Sequence, residues 1–140
     1  MVGSLDTRYI NGNYFLYSEY GENLVGTLDE CFQKFKISER VGEIYINSID
    51  KDGTGNGLDL GIGEILLKKT KTPFILAGGI GKPEHIISAL EKDSINAVST
   101  AHLLNFIGNA LEITRKTLFQ KGINLANWND INQLKSKYNL

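Results

Sequence analysis

Two turns decide the fold of this chain: Ser48-Ile49-Asp50-Lys51-Asp52-Gly53-Thr54 and Ala77-Gly78-Gly79-Ile80-Gly81-Lys82. Each turn follows an apolar run of the β type and precedes a helical pattern, which predicts that both lie at the carboxyl ends of parallel strands. Glycine lets backbone N–H groups approach an anion closely, and the helix that follows directs its positive dipole end to the same place. We therefore expect a site for a phosphorylated ligand at this edge, with the two carboxylates of the first turn available for acid–base chemistry.

The composition is typical of one globular α/β domain. Of the 140 residues, 41% are hydrophobic and 22% are charged, and 15 basic against 16 acidic residues leave a formal charge of -1. This balance offers no basic surface, so neither nucleic acid nor a membrane is expected as a partner. Cys31 is the only cysteine and cannot form an intramolecular disulfide, which favours a reducing, cytoplasmic location. The sequence contains neither a signal-peptide pattern nor an apolar run long enough to span a membrane.

Short β-type runs alternate with longer helical patterns, which is typical of βα units around a parallel sheet. Four strands are expected, at about 2–6, 43–47, 74–77 and 97–100, and Asn11-Gly12 is expected to form the turn of an inserted hairpin. The helices are expected at about 27–38, after Asp59, from Pro83, and at about 104–121 with its end at Gly122. Residues 1–124 hold these four units, and residues 125–140 form a polar C-terminal tail that is a candidate for a short helix.

The order of the elements favours part of a (β/α)₈ barrel. The first predicted strand is not followed by Gly-x-Gly-x-x-Gly, which argues against a dinucleotide-binding fold. A complete barrel needs about 250 residues. The predicted fold is therefore α/β, with four βα units that amount to half of a TIM barrel.

Two segments carry a resemblance to a known family. Residues 42–54 read Gly-Glu-Ile-Tyr-Ile-Asn-Ser-Ile-Asp-Lys-Asp-Gly-Thr, and residues 77–85 read Ala-Gly-Gly-Ile-Gly-Lys-Pro-Glu-His. Both are similar to signature segments of HisF, the cyclase subunit of imidazole glycerol phosphate synthase in histidine biosynthesis. The resemblance runs from Val2 to about Asn124 and covers the fifth to eighth βα units of that family, so it implies the C-terminal half of the barrel.

The resemblance also implies roles for particular residues. Asp6 matches a carboxylate that acts as general acid or base during ring formation, although capping a loop or pairing with Arg8 is the simpler interpretation of this residue. The implied contacts to substrate and phosphate are Asn47, Asp50, Asp52, Gly53, Gly78, Gly79, Ala101 and His102. His85, in the first turn of a helix, is predicted to be a solvated surface residue. The two histidines lack metal-ligand spacing, so no metal is expected, and the implied reaction needs no cofactor.

The implied activity is that of a lyase of the cyclase type. It combines ammonia from a glutaminase subunit with a phosphorylated ribonucleotide and forms imidazole glycerol phosphate and an aminoimidazole carboxamide ribonucleotide. Two alternatives stay open. The segments at 101–108 and 122–128 resemble a paralogous branch that supplies ammonia for amidation of surface-polysaccharide sugars. A catalytically incomplete, phosphate-binding half-barrel is the other alternative, because the family's second catalytic carboxylate lies on a strand without a counterpart here.

A half-barrel has open edges. It leaves two sheet edges and an apolar inner face uncovered, and such surfaces promote association. We therefore expect this chain to self-associate or to pair with an N-terminal half-barrel.

Overall fold

The architecture is a six-stranded sheet with helices packed on one face. The computed structural model describes residues 1–92, 95–101, 103 and 110–125. The strands are β1 (Val2–Ile10), β2 (Asn13–Ser18), β3 (Asn23–Thr27), β4 (Glu43–Ser48), β5 (Phe74–Ala77) and β6 (Ala97–Ser99). The helices are α1 (Leu28–Phe35), α2 (Ile37–Arg40), α3 (Leu60–Lys69), α4 (Pro83–Leu90) and α5 (Ala110–Gln120).

The strands lie in the order β3-β2-β1-β4-β5-β6. Strands β1, β4, β5 and β6 are mutually parallel and adjacent in chain order, and a helix follows before each next parallel strand. This arrangement confirms the α/β fold and the four predicted βα units. The predicted segments at 104–109 and 126–140 lie outside the described residues.

The first unit contains more sheet than the sequence indicated. Strand β1 continues to Ile10 and pairs with β2 through a turn at Asn11-Gly12, where both residues have positive φ, 49° and 86°. These values suit the tight turns that favour Asn-Gly in hairpins. Strand β3 was not predicted. It pairs only with β2 at the sheet edge, and its Leu24 and Val25 are both exposed, so its sequence lacks the apolar alternation of a half-buried strand.

The first helix is shorter than predicted. The capping box is present, because Glu30 N–H donates to the Thr27 hydroxyl at 3.2 Å and Thr27 N–H donates to the Glu30 carboxylate at 2.9 Å. Helix α1 ends at Phe35 instead of Ser38, because Lys36 adopts a left-handed conformation with φ 49° and ψ 48°. A separate turn of helix, α2, then leads towards β4.

The main core lies between the sheet and the helices. Its strand side chains alternate with those of the opposite face, and its helix side chains come from α1, α3 and α4; the most buried members are Leu28, Cys31, Ile44, Ile46, Ile62, Leu66, Phe74, Leu76 and Ala89. Burial raises the pKa of the Cys31 thiol. A second cluster, formed by Ile80, Ile86, Ile87, Leu103 and Leu118, joins α4 to α5. Fully burying one such aliphatic or aromatic side chain contributes about 1.5–3 kcal/mol, so these two clusters fix how the helices lie on the sheet.

The opposite face of the sheet is mixed in character. The strand register places Ser4 beside Tyr45 and Asp6 beside Asn47, and it places Tyr45 beside Ile75. The expectation of an apolar inner face was therefore wrong for this part of the sheet. The physical reason is that these strands carry the polar groups of the candidate site towards their carboxyl ends. Within the described ranges, no helix is both long and apolar enough to cross a membrane.

Candidate anion-binding site

The carboxyl ends of β4, β5 and β6 enclose a small cavity. Its volume is about 110 Å³. Its lining residues come from the three strand ends and from the loops that follow them: Tyr45, Asn47, Asp52, Ala77, Gly78, Gly79, Ile80, Ser99, Thr100 and Ala101. Pockets for whole drug-sized ligands measure roughly 300–1,000 Å³. This cavity therefore suits one phosphate-sized group, with the remainder of a ligand lying outside it.

The loop after β4 begins with a tight turn. The Ser48 carbonyl accepts hydrogen bonds from Lys51 N–H at 3.1 Å and Asp52 N–H at 2.9 Å. Thr54 closes the turn, because its N–H and its hydroxyl both donate to the Lys51 carbonyl, at 3.0 and 2.7 Å. Asp52 consequently lines the cavity. Gly53, with φ 73°, lies exposed beside it and hydrogen-bonds to no other described residue.

The loop after β5 packs against the loop after β4, backbone to backbone. Gly57 N–H donates to the Gly79 carbonyl at 2.7 Å. Gly79 has φ 95°, and a Cβ added to it would lie 2.3 Å from the Gly57 oxygen. Gly78 is similarly confined, since a Cβ there would lie 2.6 Å from the Ser48 oxygen. Only glycine fits these positions, and the fit brings Asp52 and Gly79 to the same cavity.

Two helices begin beside these loops as predicted. Asp59 caps α3, because its carboxylate accepts from Gly61 N–H at 3.2 Å. It also accepts from the Tyr14 hydroxyl at 2.8 Å, and burial together with this bond raises the pKa of Tyr14. Pro83 occupies the first turn of α4. The amino ends of α3 and α4 therefore both lie at the end of the sheet where the parallel strands have their carboxyl termini, which is the end that carries the cavity.

Asp6 lies in the middle of β1 rather than at its end. Asn47 Nδ2 donates to Asp6 Oδ1 at 3.2 Å, so the carboxylate is joined to a residue that lines the cavity. The simpler interpretation, in which Asp6 pairs with Arg8, is wrong. Arg8 Nε instead lies 3.4 Å from Asp50 Oδ1, and its guanidinium lies 5.0 Å from the centre of the Tyr17 ring.

The predicted site residues therefore divide into three groups. Asn47, Asp52, Gly78, Gly79 and Ala101 share the cavity, with Asp6 attached through Asn47. Asp50 and Gly53 lie outside the cavity lining, the former because it pairs with Arg8. His102 lies outside the described residues.

Sequence reasoning missed five lining residues: Tyr45, Ala77, Ile80, Ser99 and Thr100. Tyr45 could have been found, because it precedes Asn47 by two positions in a strand and therefore shares its face. Ser99 is the last residue of β6, and Thr100 lies between it and Ala101. The Thr100 hydroxyl is buried and lacks a hydrogen-bond partner among the described residues.

His85 is not the solvated residue that was expected. Its ring is partly buried, and Nδ1 accepts a hydrogen bond from Gly81 N–H at 3.2 Å. Burial lowers the pKa of His85, and the positive charge of Lys82 lowers it further. Among the residues that the structure describes, no group of three or more His, Cys, Asp or Glu is placed to hold a metal ion.

Comparison with known proteins gives the family. A protein of Parasynechococcus marenigrum named for the imidazole glycerol phosphate synthase subunit hisF2 is 33% identical over 129 residues, which are 91% of this chain and 48% of the relative. The HisF subunit of Methanocaldococcus jannaschii is 39% identical over 105 residues, 74% of the chain and 39% of the relative. The HisF subunit of Geobacillus kaustophilus is 27% identical over 127 residues, 89% of the chain and 50% of the relative.

The chain spans half or less of the length of these relatives. The model of the family described as histidine biosynthesis protein matches residues 1–108. That family has the TIM-barrel fold, which agrees with the four parallel βα units of this structure. On the strength of this match, which extends from β1 beyond β6, the chain belongs to the histidine biosynthesis protein family.

Proposed function

We propose that this chain provides a phosphate-binding edge and one catalytic carboxylate of a HisF-type cyclase. The observation that carries the proposal is the cavity in which Asp52, Gly79 and Ala101 meet, with Asp6 hydrogen-bonded to the adjoining Asn47. Glycine-bearing loops that lead into helix amino ends are suited to bind phosphate oxygens through backbone N–H groups. The cavity has room for one such group.

The chemistry proposed for Asp6 is proton transfer. Addition of ammonia to a carbonyl, loss of water and closure of an imidazole ring each require that a proton be moved. A carboxylate held beside the substrate can perform these transfers. Asn47 occupies Oδ1 of Asp6, which leaves Oδ2 for a reacting group.

The proposed substrate is the phosphorylated ribonucleotide of the HisF reaction, and the proposed products are imidazole glycerol phosphate and the aminoimidazole carboxamide ribonucleotide. The proposed partner is a glutaminase subunit that supplies ammonia, and the proposed location is the cytoplasm. Asp6 and Asn47 lie on the sheet face that no helix covers. An N-terminal half-barrel or a second copy of the chain would cover this face and supply the rest of the site.

An activity assay with a matched control tests this proposal. The chain is supplied with ammonium ions and the ribonucleotide, alone and mixed with an N-terminal half-barrel from a relative. Because general acid–base groups contribute about 10²–10⁴-fold, Asp6→Asn is expected to lower turnover by about that factor while leaving phosphate affinity unchanged. Asp29→Asn, a change in an exposed carboxylate of α1, is the control and is expected to retain turnover.

The outcomes separate the alternatives. Phosphate binding without turnover, both for the chain alone and for the chain mixed with an N-terminal half-barrel, would support the catalytically incomplete half-barrel instead. Absence of both binding and turnover would refute the proposal and that alternative together.

A second candidate function is supply of ammonia for amidation of surface-polysaccharide sugars. The resemblance of residues 101–108 and 122–128 to that paralogous branch supports it. Complementation of a strain that lacks HisF, by this chain together with an N-terminal half-barrel, would refute this second candidate. Failure to complement, combined with restored amidation in a strain that lacks the paralogue, would support it.

A further inference from the structure

His85 lies where the two loops of the candidate site pack against each other. Its Nδ1 accepts the hydrogen bond from Gly81 N–H, in the loop after β5, at 3.2 Å. Its ring also faces Gly57, in the loop after β4. A Cβ added to Gly57 would lie 3.6 Å from His85 Cδ2 and 3.7 Å from Nε2, so the ring fills the space beside the Gly57 backbone that a side chain would enter. A single side chain therefore bonds to one loop and lies beside the other.

The remaining contacts between these loops come mainly from backbone atoms. Besides the bond from Gly57 to Gly79, the backbone at Gly81 approaches Gly55 so closely that a Cβ on Gly81 would lie 2.6 Å from the Gly55 Cα. Residues without side chains cannot interlock. Lys51 is the other side chain beside this contact, because its Cβ would lie 3.1 Å from a Cβ added to Gly79.

We propose that His85 is a positioning residue that holds the two loops in the register at which Asp52 and Gly79 line one cavity. The inference deepens the proposed function, because its consequence for ligand binding rests on an anion binding in that cavity. His85 itself does not line the cavity. Its effect is transmitted through Gly81, which belongs to the loop after β5, and through Gly57, which belongs to the loop after β4.

The bond to Gly81 requires one protonation state. An imidazole nitrogen that accepts a hydrogen bond carries no proton, so neutral His85 carries its proton on Nε2. Protonation of Nδ1 removes the acceptor and sets two N–H donors against each other. The charged groups that act on the ring are Lys82, which opposes protonation, and Glu84, which favours it. On the facing loop, Lys51 is the charged residue packed at Gly79.

Two substitutions separate the hydrogen bond from the bulk of the ring. In His85→Asn, the Oδ1 atom can take the place of Nδ1 and accept from Gly81. In His85→Gln, the amide reaches the position of Nε2 and offers no acceptor at Nδ1. Ser88→Ala is the matched control, because Ser88 lies exposed on the same helix and its hydroxyl donates only to the His85 carbonyl, at 3.1 Å.

Two measurements on the 140-residue chain test the inference. Amide hydrogen exchange at Gly57 and Gly81, followed by NMR without ligand, reports the loop register. Sulfate affinity reports the site, because sulfate keeps its charge where phosphate would titrate. We expect His85→Gln to accelerate exchange at both glycines, and to weaken sulfate binding, by about tenfold each, the factor for losing one hydrogen bond. We expect His85→Asn and Ser88→Ala to remain near wild type at Gly81.

The pH profile provides a readout that a purely structural role would not change. Because burial and the charge of Lys82 lower the pKa of His85, sulfate affinity of the wild type is expected to fall as the pH drops below about 6.5, the ordinary value of an imidazole, and that of His85→Asn is expected to fall less. Wild-type exchange at Gly57 and Gly81 in His85→Gln would overturn the inference. If the wild-type chain bound no sulfate, the proposed anion site would fail, and the exchange at Gly57 would still decide the role of His85.

Discussion

Gly79→Ala is expected to be the most damaging single methyl addition in this part of the chain. Gly79 has φ 95°, a conformation that costs an L-residue roughly 1–2 kcal/mol. The new Cβ would lie 2.3 Å from the Gly57 oxygen and 3.0 Å from the Gly57 carbonyl carbon, and relief of such overpacking costs about 1–3 kcal/mol. The backbone must separate to relieve it, which also weakens the hydrogen bond between Gly57 and Gly79 by about 1 kcal/mol.

These terms predict a loss of about 4 kcal/mol in the free energy of unfolding, a large share of the roughly 5–15 kcal/mol typical of a domain. Urea denaturation followed by circular dichroism measures it. Gly53→Ala is the matched control, since Gly53 also has positive φ, 73°, but a Cβ there meets nothing within 4 Å. Its expected cost is the conformational term alone, about 1 kcal/mol. Equal losses for the two variants would refute the argument that the two loops pack backbone to backbone at Gly79.

Three further perturbations test other parts of the structure. Tyr14→Phe removes the 2.8 Å bond to Asp59 and is expected to destabilise the chain by about 1–2 kcal/mol in urea, whereas Tyr9→Phe, at an exposed ring, is expected to change little. Thr27→Ala removes the helix cap at a cost of about 1 kcal/mol, measurable as a lower Tm. The contribution of His85 to the free energy of unfolding is expected to be fully present above about pH 6.5 and to be lost as the pH drops from there through the lower folded-state pKa of His85. The reason is that the unfolded chain then binds more protons than the folded chain. His85→Asn should lose this part of the pH dependence.

The sequence predicted the elements whose signals are local. The Thr27 cap with its glutamate three residues later, the Asn11-Gly12 turn, the Asp59 cap and Pro83 at a helix start each specify structure within a few residues, and the structure confirms all four. The four βα units followed from the alternation of strand and helix patterns. Family membership followed from two segments at strand ends.

The sequence could not predict features that depend on packing at a distance. Strand β3 exists because β2 offers it an edge, while Leu24 and Val25 remain exposed. The pairing of Asp50 with Arg8 rather than with the cavity joins residues 42 positions apart, and nothing in either local pattern specifies it. His85 looked like a surface residue for the same reason, since its partners Gly57 and Gly81 become neighbours only when two loops meet.

The pairing of β1 with β4 couples fold and chemistry. The Thr7 hydroxyl, on the core side, donates to the Asn47 carbonyl at 3.0 Å, while the Asn47 amide, on the other side, donates to Asp6. Because side chains alternate along a strand, sliding β1 by a single residue would turn the acidic group into the apolar interior and bring Thr7 out in its place. A change that merely loosened this alignment would therefore remove the proposed proton transfer at Asp6 from a chain that is otherwise still folded.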